Sequence, residues 1–122
     1  VTDQGFVKFQ NLGGWLDRAL QGQRWRIMTS SGEVLGVSGI KSVHVTPTDE
    51  RTKNIKAADV FIDVGATDKK DAEERLGIRP GDPMAPDSAF AAMGGGSLYV
   101  GKAWDDRVGL AVMLVAARRI RD

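Results

Sequence analysis

A chain of 122 residues, 42% hydrophobic and 27% charged, suits one soluble domain with a modest core. Its formal net charge of +1, with lysines and arginines scattered along the chain, excludes broad electrostatic attraction to nucleic acid or anionic membrane. The absence of cysteine excludes disulfides, thiolate metal sites and cysteine nucleophiles. No apolar run reaches the roughly 18 residues of a spanning helix.

The chain opens at Val1, in what reads as mid-strand, and stops at Asp122 just after a helical run. Both ends are expected to be cuts through a longer protein. Phe6–Phe9 reads as a strand after the Asp3-Gln4-Gly5 turn signal. Asn11–Trp15 is a loop in which Gly13 and Gly14 allow positive φ or close backbone approach, and Trp15 covers apolar surface. Arg24–Thr29 and Glu33–Val37, joined by Ser30-Ser31-Gly32, form a β-hairpin. Lys41–Val45 is expected as another strand, and Thr46–Asn54 as a polar loop.

Asp59–Val64 carries the strongest strand signal, broken by Gly65-Ala66. A short helix follows from Asp68 to about Leu76, capped by Thr67 or Asp68, with Asp71 three residues on and Gly77 placed for an αL stop. Pro80–Pro83 and Gly94–Gly96 are turns, and Ser97–Val100 returns as a strand. Val108–Ile120 is the one long helix. Its apolar residues follow helical spacing, yet Leu110, Met113, Leu114 and Ala117 extend apolar character around most of the circumference. Such a helix belongs inside a larger structure. Arg118, Arg119 and Arg121 suit its C-terminal dipole.

Two adjacent acids, Asp105 and Asp106, stand just before that helix. On capping chemistry alone they read as an N-cap with an acidic neighbour at the positive end of the dipole. One acid suffices for a cap, so the second is free for other work.

Five stretches in order carry a family resemblance: Phe6–Phe9, "LGGW" at 12–15, "GEVLGVSGIKSVH" at 32–44, "FIDVGATDKKDAEERLGIRPGD" at 61–82 and "GKAWDDRVG" at 101–109. Together they resemble the glutamyl-aminopeptidase family of dinuclear metallopeptidases, which includes the deblocking and tetrahedral aminopeptidases and endoglucanase-M-like members. The resemblance implies an α/β catalytic domain interrupted by a small PDZ-like β-barrel that drives assembly. Residues 1–10 would then end a catalytic-domain strand. Residues 11–97 would be the inserted barrel, and residues 98–122 the return strand and first following helix. The expected fold is mainly β: a small PDZ-like barrel with one short helix, plus a C-terminal helix belonging to the α/β domain.

The resemblance also implies roles. Asp105 would bridge two divalent ions, zinc or cobalt, and Asp106 would support it through a cis peptide. The His-x-Asp motif, the Glu-Glu pair with the general base, another acid and a last His would all lie outside this chain. With one ligand of the set, the chain alone is expected to bind no metal tightly and to be inactive. Without the other ligands, nothing obvious offsets the cost of a non-proline cis bond, so a trans or poorly ordered Asp105–Asp106 peptide is expected here. The parent would act on peptides, form homo-oligomers through the barrel, engage neither nucleic acid nor membrane, and reside in the cytoplasm.

Other constellations are weaker. His44, the one histidine, has no His/Cys cluster around it and reads as structural or surface. The Gly94–Gly96 run lacks the Lys-Ser/Thr of a phosphate loop and precedes a strand, not a helix. Trp15, Trp25 and Trp104 read as packing or interface residues. A glycosidase would need two carboxylates facing one bond, and adjacent acids diverge. The competing function is a stand-alone PDZ-like module taking a peptide strand on a sheet edge. Such a module has no reason to end in Lys102–Arg107 followed by an apolar helix.

Overall fold

The computed structural model describes residues 1–39, 41–42, 44–49, 53 and 55–121. It divides into two compact units, Val1–Asp87 and Ser88–Asp122. No helix among the described residues is long and apolar enough to cross a membrane.

The first unit is built on an antiparallel hairpin. Strand β1 (Arg24–Thr29) alternates, sending Trp25 and Ile27 inward and Arg24, Arg26 and Met28 outward. It pairs with β2 (Gly32–Gly39) from Arg24↔Val37 to Thr29↔Gly32, so the turn is the two residues Ser30 and Ser31. Strand β3 (Phe61–Asp63) adds to the far side of β2, and β4 (Met84–Pro86) to the far side of β1. The resulting order is β3-β2-β1-β4.

The core is Val7, Leu20, Trp25, Ile27, Val60, Ile62, Val64 and Ile78. Strand β2 turns Val34, Gly36 and Ser38 inward, while Leu35 and Val37 face out. Ile62 explains the glycine. A Cβ at Gly36 would lie 2.5 Å from Ile62 Cγ2, so only glycine leaves room for the β3 side chain. Buried Ser38 is satisfied: its Oγ accepts from the Gln23 N–H at 2.9 Å and donates to the Leu20 carbonyl. That holds the short 3-10 turn Asp17–Leu20 against the sheet, with Leu20 fully buried.

On the outer face Arg26 binds Asp87 at 2.7 Å and Glu33 at 2.8 Å, which raises the guanidinium pKa and clips the end of β4 to the hairpin.

Helix α1 (Lys69–Glu74) follows the expected local signals closely. Asp68, not Thr67, is the N-cap, and its carboxylate accepts from the Asp71 N–H at 2.8 Å. Asp71 reaches back to the Thr67 N–H at 3.0 Å and pairs with Arg75 at 2.5 Å. Gly77 at φ +73° ends the helix, and Ala72 is buried beneath it.

Three expected elements change, and closure of the expected barrel is not seen among the described residues. Phe6–Phe9 is no continuous strand; Val7 alone bridges to Ile62, with both backbone bonds at 2.9 Å. The Asp59–Val64 strand shortens to β3, because Ala57–Asp59 closes into a 3-10 turn. Lys41–Val45 is a turn where described: Ser42 accepts from the Val45 N–H at 3.1 Å and from the Thr46 hydroxyl at 2.8 Å. Val43 lies outside the described residues. Among the described residues, finally, the sheet is open. Strands β3 and β4 end its strand order, with the Val7 bridge beyond β3, and they do not pair with each other.

The second unit is a hairpin followed by a helix. Strands β5 (Ala91–Met93) and β6 (Leu98–Val100) pair from Ala91↔Val100 to Met93↔Leu98, with Gly94–Ser97 as the turn. Phe90 stacks on Tyr99 at 5.2 Å and packs against Trp104 at 6.0 Å. Helix α2 (Trp104–Arg121) contains no buried residue.

Candidate metal-ligand site at the start of the C-terminal helix

The link Gly101–Lys102–Ala103 joins β6 to α2. Ala103 has φ +59°, a left-handed conformation uncommon for a residue with a side chain. The backbone is then extended at Asp105 (φ −88°, ψ 107°) and non-helical at Asp106 (φ −123°, ψ 39°). The peptide between them is cis, which corrects the trans geometry expected for this chain. Continuous helical backbone starts at Arg107, whose N–H donates to the Ala103 carbonyl at 3.2 Å.

The two acids therefore divide the work. Asp106 Oδ1 accepts from the Gly109 N–H at 3.2 Å, three residues on, as an N-cap residue does. Asp105 is exposed, and its carboxylate has no hydrogen-bond or ion-pair partner among the described residues. It is presented at the helix N-terminus, where the macrodipole favours negative charge.

Its free oxygens fit a metal ligand. A site it is not, by itself: no group of three or more His, Cys, Asp or Glu side chains suited to a metal ion occurs among the described residues. His44 sits exposed in the Ser42–Thr46 turn of the first unit, its N–H on Ser42 Oγ at 3.3 Å. The Gly94–Gly96 run is the β5–β6 turn, as expected.

The tryptophans are packing residues. Trp104 lies against Phe90, and Trp25 is buried between Phe9 (6.2 Å) and Trp15 (5.7 Å). Phe9, Trp15 and Trp25, with Ile78 and Met84, line a groove of about 530 Å³ in the first unit. The Trp25 Nε1 atom is sealed from solvent and has no partner among the described residues. Sequence reasoning missed this groove, since its walls come from segments far apart in the chain. It also missed Gly109, although a lone glycine in an otherwise helix-favouring run was a readable signal.

The sequence matches the M42 glutamyl aminopeptidase family over residues 1–122. The chain belongs to this family. The glutamyl aminopeptidase of Lactococcus lactis subsp. cremoris is 30% identical over 115 residues, which cover 93% of this chain and 32% of that protein. The crystal structure of a TET aminopeptidase from a marine sediment Thaumarchaeota archaeon superimposes with a TM-score of 0.95 at 42% identity, covering 100% of this chain and 34% of that one. The Pyrococcus horikoshii TET1 peptidase, described as able to assemble into a tetrahedron or a large octahedral shell, gives a TM-score of 0.83 at 28% identity. That match covers 98% of this chain and 35% of the peptidase. The chain thus spans about a third of the length of the family members it matches.

Proposed function

We propose that this chain is the part of a dinuclear metal-dependent aminopeptidase that supplies the bridging carboxylate, Asp105. The supporting observation is the division of labour between the paired acids. Asp106 is committed to the Gly109 N–H, while the exposed Asp105 carboxylate has no partner among the described residues and would be available to hold the ions. Two divalent ions, when bound, supply Lewis acidity toward a scissile carbonyl and acidify water near neutral pH.

This chain's own part is to hold a carboxylate in place. Ala103 turns the backbone, Asp106 fixes the first helical turn, and Asp105 is displayed between them. The other ligands and the general base come from outside these 122 residues, so the chain alone is expected to be inactive. Residues 11–97 serve as the PDZ-like, barrel-type insertion, acting in assembly and in access to the site, with residues 1–10 and 98–122 belonging to the catalytic domain. The family resemblance carries the further expectation of a cytoplasmic homo-oligomer using zinc or cobalt. Family membership covers the tail as well as the sheet, which disfavours a stand-alone peptide-binding module.

Digestion of a defined peptide by the whole metal-loaded protein, followed by mass spectrometry, tests the reading. The expected product series is a ladder shortened one residue at a time from the N-terminus. Internal cleavage, or loss from the C-terminus, would overturn it.

A further inference from the structure

Helix α2 is rich in alanine, valine and arginine, yet its first regular turn holds a glycine. Glycine is a poor helix former, so a compensating reason is needed at position 109. The structure supplies one. A Cβ built on Gly109 would overlap Asp106 Oδ1, and would lie 3.0 Å from Asp106 Cγ and 3.2 Å from Oδ2. The Asp106 carboxylate occupies the space a side chain at 109 would take, and from there it accepts the Gly109 N–H.

We infer that Gly109 is a positioning residue for the paired acids, an inference that rests on reading Asp105 as a metal ligand. The Asp105 backbone is held from two sides. On one, Ala103 at φ +59° accepts the Arg107 N–H at 3.2 Å. On the other, the Asp106 carboxylate accepts the Gly109 N–H in the first turn. A methyl group at 109 forces the Asp106 carboxylate off that turn and releases one of the two anchors. The Asp105 oxygens then lose their fixed direction, and a bridging ligand depends on direction. Alanine favours the helix itself, so helix propensity and positioning pull in opposite senses at this residue.

The test uses the whole protein loaded with cobalt(II), comparing the native sequence with G109A, D106A and the double variant. Readouts are the cobalt absorption spectrum and metal affinity by chelator competition. G109A should change the spectrum and weaken binding about 10–100-fold, the range for disturbed supporting groups around a metal. In the D106A background the same glycine-to-alanine change should add nothing, because the obstructing carboxylate is gone. Native-like spectrum and affinity in G109A would overturn the inference, as would an equal loss in both backgrounds. If G109A fails to fold, a double variant that folds and binds cobalt as D106A does supports the inference, and a double variant that fails to fold where D106A folds overturns it. A native protein that binds no pair of divalent ions removes the metal-ligand reading itself, and this inference with it. Native binding that G109A leaves untouched removes only the role of Gly109.

Discussion

Asp71 shows how much one side chain settles in the first unit. Its carboxylate takes the Arg75 guanidinium at 2.5 and 2.6 Å and the Thr67 N–H at 3.0 Å. Arg75 first, then the backbone bond, hold its pKa well below the usual carboxylate range. A carboxyl depressed by folding contributes stability that is complete above its unfolded pKa, about 3.9, and is lost as pH falls toward the folded value. The melting temperature of D71N should therefore trail the native chain by a constant gap at neutral pH, and the gap should shrink between about pH 4 and pH 2. A gap that persists unchanged to pH 2 would contradict this account. Gly36 is the other decisive residue. G36A pushes a methyl into Ile62, and overpacking of this kind costs about 1–3 kcal/mol, measurable by urea unfolding. Unchanged stability would mean that β3 is not seated over β2 as described. The paired acids mark a limit at this scale. That one of them caps the helix was legible; which one was not, because neighbouring carboxylates have the same capping chemistry and only the backbone at 103–106 tells them apart.

Elements whose signals are local were the readable ones. Helix α1 has its cap, its reciprocal acid and its terminal glycine within ten residues, and all three act close to where they were expected. The β1–β2 hairpin was similarly plain, from alternation around a short polar turn. What failed depended on distant partners. Phe6–Phe9 has strand composition, but only Val7 finds a ladder partner.

Helix α2 was read correctly as apolar on most sides, and its continuous backbone starts at Arg107, one residue before the expected Val108. Val108, Leu110, Val112, Met113, Leu114 and Val115 are each 51–69% exposed. Each large apolar side chain left in water forgoes about 1.5–3 kcal/mol. The 122-residue chain should consequently self-associate in sedimentation velocity, and V112E/L114E should return it to monomer. A native chain that stays monomeric at high micromolar concentration with α2 protected from hydrogen exchange would contradict this.

At the scale of the whole molecule, the family was legible because its motifs are local stretches in a fixed order, and the full-length match bears that out. The catalytic constellation was not, because this chain spans about a third of its relatives and brings one candidate ligand. A dinuclear centre is assembled from side chains on separate elements, and composition cannot show what lies beyond the elements present. The account nonetheless makes one residue indispensable. The most direct test is the rate at which the whole metal-loaded protein releases p-nitroaniline from aminoacyl-p-nitroanilides, measured for the native sequence and for D105A. The account predicts a native rate abolished by chelator and a D105A rate no higher than that chelated background. A D105A rate equal to the native one, or native hydrolysis untouched by chelator, would contradict it.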